Sequence, residues 1–137
     1  DPNIELKLNM STSSNNYDLN VGVKTEFLAE QSDPSRNRYV FAYRVTITNS
    51  GLQSAQLLSR KWIITDGDGK IQEVSGEGIV GQQPIIEPGQ QHQYTSGTVL
   101  ETKVGSMRGS YGMVAADGHE FTAPIPAFTL SYPNALH

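Results

Sequence analysis

The sequence predicts an all-β chain folded as an antiparallel β-sandwich of about seven or more strands. Three observations point there. Several segments alternate apolar and polar residues with a period of two, the spacing of a strand buried on one face. Gly, Asn, Asp and Pro gather between those segments at short intervals, where the chain must turn. No stretch holds the 3.6-residue period of a long amphipathic helix. At 137 residues the chain fits one compact domain, assigned to 17–137.

The first sixteen residues have no sustained period, and the run Ser11 to Asn16 has too little apolar area to offset the entropy of ordering it. A disordered tail is expected over 1–16, with 1–9 read as an expression remnant ahead of Met10. From Val21 to Phe27 strict alternation predicts a first strand. Ala29 to Asn37 is a polar connection with Asp33-Pro34 as its turn. The strongest period-two signal follows, Tyr39, Phe41, Tyr43, Val45 and Ile47 on one face, ended by Asn49-Ser50-Gly51. Leu57 to Thr65 is the next strand, turning through Asp66-Gly67-Asp68-Gly69, whose residues tolerate positive φ, into a return over Ile71 to Val74. Gly76 to Pro88, with three glycines and two prolines, reads as a structured loop. Gln91 to Leu100, Gly105 to Ala115 and His119 to Leu130 complete the set, the last two joined by a hairpin turn at Ala116-Asp117-Gly118. In the last strand Phe121, Ala123 and Ile125 keep one phase and Phe128 and Leu130 the other. An extra residue near Pro126 is therefore expected, as a bulge or a crossing between sheets, and Pro124 and Pro126 confine it to an edge or a gap in pairing. Ile86-Glu87-Pro88-Gly89, with Tyr94 after it, is similar to the turn that opens a strand in immunoglobulin-like and fibronectin-type-III-like domains.

Composition narrows the function. Ten Lys and Arg against fourteen Asp and Glu give a net charge of -4, the wrong sign for neutralising many phosphates, so nucleic acid is not the expected partner. Cysteine is absent, which removes disulfides, thiolate metal sites and cysteine nucleophiles. No segment has the length and apolarity of a membrane span, no basic-then-apolar leader opens the chain, and a cytoplasmic location is expected.

Few residues form a chemical constellation. Gly76-Glu77-Gly78-Ile79-Val80-Gly81 fits G-x-G-x-x-G, whose glycines let amides approach a pyrophosphate ahead of a helix. Pro84 and Pro88 leave no room for that helix, so a phosphate site here would rest on a concave array of amides alone, with Glu73, Glu77 and Glu87 nearby opposing an anion. Asp66-Gly67-Asp68-Gly69 lacks the later ligands of a calcium loop and reads as a turn. His92, His119 and His137 are scattered and read as surface residues. No metal site, catalytic set or cofactor is assigned. Arg60 and Trp62 share a strand face. Either Trp62 fills the core with Arg60 at the rim, or the two form an exposed protein-binding patch.

A longer set of motifs carries a resemblance. Glu30-Gln31-Ser32-Asp33-Pro34, Arg38 to Tyr43, Leu57 to Asp66, Gly76 to Pro84, Tyr94-Thr95-Ser96-Gly97 and Gly109-Ser110-Tyr111-Gly112-Met113, in this order, resemble the ApaG family of bacterial proteins from about Tyr17 to His137. The resemblance implies a fibronectin-type-III-like sandwich and no known reaction. It also implies an indirect genetic link to cobalt resistance and magnesium efflux. Related domains in an F-box protein and in a partner of a DNA polymerase look like protein-interaction modules. The family's glycine motif, considered a phosphate or pyrophosphate site, falls on Gly76, Gly78 and Gly81. Relatives often carry His where this chain has Lys61, so a metal ligand at that position is not expected. The resulting expectation is a non-enzymatic interaction domain whose partner is another protein. It would be contacted through the loop Gly76, Glu77, Gly78, Gly81 and Pro84 or the patch Arg60 and Trp62. The alternative is a small-molecule protein or enzyme that uses the Gly76–Gly81 loop to hold a phosphate-bearing ligand.

Overall fold

A computed structural model describes residues 16–133. The tail reading for 1–16, Asn16 apart, and the 1–9 remnant lie outside the described residues, as does His137. Eight strands follow in order: β1 (Leu19–Phe27), β2 (Tyr39–Asn49), β3 (Ala55–Asp66), β4 (Ile71–Glu77), β5 (Ile85–Ile86), β6 (Gln91–Leu100), β7 (Val104–Ala115) and β8 (Glu120–Ser131). The only helical segments among the described residues are two 3-10 turns, Ala29–Gln31 and Pro34–Arg36, inside the polar connection after β1. All pairings between strands are antiparallel. One sheet runs β1-β2-β6, the other β4-β3-β7-β8, with β5 on β3 beyond the end of β4.

The two inner faces interlock as alternation requires. Tyr39, Phe41, Tyr43, Val45 and Ile47 of β2 are all buried, and Met107, Tyr111 and Met113 meet them from β7. On one side the sandwich is closed, because β1 lies against β8 and Phe27 meets Tyr132 edge-on at 5.0 Å. On the other side β6 and β4 are the sheet edges, and they flank a groove instead of packing together.

Two irregularities set the register. In β8 the pairs Met107↔Phe128 and Gly109↔Ile125 place Pro126 and Ala127 opposite the single residue Arg108, the extra residue that the phase change demands. β8 is an edge strand, where proline's missing donor is tolerated. The second bulge, between Leu57 and Ser59 of β3, is not visible in the alternation. It lets Leu57, 0% exposed, and Trp62, 3% exposed, both face the core although five positions apart.

One boundary differs from expectation. The glycine-rich stretch is not all loop: β4 continues through Gly76 and Glu77, paired with Arg60 and Ser59, and β5 restores pairing to β3 at Ala55 and Gln56. Backbone ladder bonds do not require side-chain alternation, which is why composition alone hid this strand.

Candidate functional site

The glycine motif follows the edge of β3 and bulges outward where β3 itself bulges. At its centre Ile79 and Gln82 exchange both backbone hydrogen bonds, at 2.8 and 2.9 Å, around Val80 and Gly81. Both central residues have positive φ, 47° and 75°, the signature of a type I′ turn. Ile79 is 2% exposed and anchors the turn in the core, while Val80 stands out at 69%. Gly78 has φ 63° and its amide donates to Leu58 O at 2.8 Å; a Cβ there would lie 2.3 Å from the Gln82 carbonyl oxygen. On the far side the Leu57 amide donates to Pro84 O at 3.0 Å, and the Gln83 side chain donates to Leu58 O at 3.0 Å. Together these bonds carry β3 across its bulge.

Arg60 joins this loop to the patch that the sequence treated separately. Its Nη1 donates to Glu77 O at 3.0 Å and to Gly78 O at 2.9 Å. Arg60 is paired across the ladder with Gly76, and a Cβ on Gly76 would lie 2.8 Å from the guanidinium nitrogens, so glycine makes room for the group. Trp62 belongs to the core, with Tyr43 edge-on at 5.3 Å and Phe128 at 5.9 Å. It is therefore not an exposed hot spot, and of the predicted pair Arg60 is the half-buried, accessible member. Among the described residues Arg60 has no carboxylate within ion-pair distance, and its Nε and Nη2 hydrogens have no protein acceptor. On the outer face of this sheet Lys61 pairs with Glu73 at 3.2 Å.

Arg60 lies at the groove between the sheet edges. Tyr43, Trp62 and Met107 form the floor of this groove, Gln72 and Val74 of β4 one wall, and Ser96 to Val99 of β6 the other. Its volume is about 390 Å³, and among the described residues Arg60 is the charged one in this part of it. The groove exists because the inward residues of β6, Ser96 and Thr98, are too small to reach the opposite sheet. Deeper in, Tyr94 and Tyr111 share a short hydrogen bond between hydroxyls. Burial pushes the Tyr94 phenol up to about 12 and raises Tyr111 further, so both stay neutral at any physiological pH. Sequence alternation could not find this pair, since it joins strands of different sheets.

The remaining candidates behave as local structure. Asp66 Oδ1 accepts from the amides of Asp68 and Lys70, both at 2.9 Å, which uses its carboxylate to close the hairpin. His119 is exposed and stacks on Tyr17 at 4.2 Å. Among the described residues no three His, Asp or Glu side chains gather as a metal-holding group, and no helix is long and apolar enough to cross a membrane.

Known proteins share this sequence and fold. The profile of the ApaG domain matches residues 29–115, from the 3-10 turns to the end of β7. The chain belongs to the ApaG family. Protein ApaG of Azotobacter vinelandii is 61% identical over 121 residues, 88% of this chain and 96% of that protein. Protein ApaG of Pseudomonas paraeruginosa is 62% identical over 125 residues, covering 91% and 99%. A crystal structure of an ApaA protein from Bordetella pertussis is 52% identical, covers 87% of this chain and 97% of its own, and superposes with a TM-score of 0.85. The all-β sandwich thus agrees with solved ApaG-type structures.

Proposed function

We propose that this ApaG chain is a non-enzymatic protein-interaction domain of the cytoplasm, an adaptor whose partner is another protein. One observation carries the reading: β6 is a ten-residue sheet edge without Asp, Glu, Lys, Arg or Pro, and it borders a groove. Exposed edges invite pairing with another chain, and proteins ordinarily blunt them. The other edge strands among the described residues are blunted, β5 by being only two residues long. β8 has Pro124, Pro126 and a bulge, β1 carries Lys24 and Glu26 and lies against β8, and β4 carries Glu73 and Glu77. Effects on cobalt resistance or magnesium efflux would then be indirect, exerted through the partner.

The alternative, a phosphate or pyrophosphate ligand at the glycine loop, has less in its favour. The amides of Gly78, Ile79 and Gln82 already donate within the chain, and the loop turns carbonyls, not amides, toward Arg60. A photoreactive residue placed at Val99, on the outer face of the free edge strand β6, or at Glu26, on the closed side, tests the choice in living cells. Defined protein adducts from Val99 and none from Glu26 are expected; no adducts, or equal ones, would refute the interaction reading. Pyrophosphate at millimolar concentration should leave the amide resonances of Gly76, Gly78 and Gly81 unmoved, and saturable shifts there would favour the ligand site.

A further inference from the structure

We infer that the partner enters as an extended strand that pairs with the free edge of β6 and presents a carboxylate to Arg60. This rests on reading the chain as a protein-interaction domain and specifies the chemistry of what it binds. Two independent features meet at the groove. The first is backbone: within Gln91–Leu100 no main-chain group bonds to any described residue outside β2, so alternate N–H and C=O groups along β6 face outward. A strand laid there would gain ladder bonds, and every second side chain would point into the groove over Tyr43, Trp62 and Met107.

The second feature is charge. Arg60 faces inward at the groove but is only half-buried, and its free donors are not sealed from solvent, so its charge stands where a partner can reach it. The carbonyls of Glu77 and Gly78 take both Nη1 hydrogens, which leaves one edge of the guanidinium, Nε and Nη2, with no acceptor among the described residues. That edge is the fork that binds a carboxylate through two parallel hydrogen bonds. Among the described residues no acidic side chain lines the groove beside Arg60; Asp66 and Glu101 stand only at its far end, past Ile64 and Val99. The missing anion is thus expected from outside, on a side chain of the incoming strand. Gly76 keeps the seat of the guanidinium clear, and the I′ turn holds the two carbonyls in place, which gives the glycine motif a role in positioning Arg60.

Selection from a displayed library of random ten-residue peptides tests this. Wild-type protein should enrich peptides that alternate apolar residues with one Asp or Glu at a fixed place in the pattern. Binding should slow hydrogen exchange at β6 amides. Replacing the peptide's acidic residue by its amide should weaken binding tenfold or more. The same loss is expected for Arg60→Gln with the acidic peptide, whereas Arg60→Gln should bind acid and amide peptides equally. If Arg60→Gln unfolds, the peptide-side replacement makes the comparison on intact protein. Selected peptides without an acidic preference, or protection away from β6, would overturn the inference while leaving a protein partner in place if Val99 still forms adducts. A dimer in sedimentation with β6 protected by self-association would replace the partner strand with a second copy. No selected peptide together with no Val99 adduct would end the interaction reading itself.

Discussion

Val80 is the residue most at odds with its own backbone. A β-branched side chain at φ 47° is strained, and at the tip of an exposed turn no packing compensates. Val80→Gly or Val80→Asn should stabilise the fold by about 1 kcal/mol, measured by urea denaturation. Gly78→Ala should do the reverse. It meets both a positive φ and the Gln82 carbonyl, and a loss of about 2–3 kcal/mol is expected from the combined strain and clash. The tyrosine pair makes a third prediction. Tyr94 has a folded value near 12 against 10.0 when free, so the folded state holds the proton more tightly. Its contribution is fully present below pH 10 and is lost as pH rises from about 10 to 12. Stability should therefore fall across that window by about 2 kcal/mol, tempered by the part of the ring that solvent reaches. Tyr94→Phe should flatten the decline in a series of denaturation curves.

At the scale of elements, a buried side chain ties the loop after β2 to β5. Asn49 is fully buried and donates through Nδ2 to Gln53 O and Ile86 O, both at 2.8 Å, while its Oδ1 accepts from Gly51 N at 2.9 Å. Asn49→Asp would face two carbonyls with a carboxylate that cannot donate. A loss of about 3 kcal/mol is expected, larger than for an exposed asparagine, read by thermal melting. In sequence Asn49 is legible only as part of a turn, because its partners in β5 lie 37 positions away. The same limit explains what else was hidden. The strands with clean alternation, β2 above all, could be read directly, and so could the β8 bulge, because Phe128 changes phase against Ile125. The β3 bulge could not, because polar Ser59 and Arg60 between Leu57 and Trp62 mask the slip. Arg60 and the glycine loop appeared as separate candidates, since their contact depends on which strand becomes the neighbour of β3.

For the whole molecule, the sandwich is asymmetric: β1 and β8 seal one flank, and the β4–β6 flank stays open, which is where the proposed partner would act. Val99→Lys, on the exposed face of β6, should leave the melting temperature within a few degrees while abolishing peptide-induced exchange protection there, because a charge on an edge strand obstructs pairing. The same layout constrains how the chain reaches its native state. Tyr39 pairs with Leu100 and Thr48 with Gln91, so the middle strand of the first sheet gains its second neighbour only after the whole β3–β5 segment has been synthesised. On the ribosome β2, whose inward face is wholly buried in the finished fold, must wait with one edge bare. Non-local pairing of this kind makes refolding slow, on the millisecond-to-second scale of β-sandwiches. The nascent chain thus carries an extended apolar segment that stays half-paired until β6 emerges.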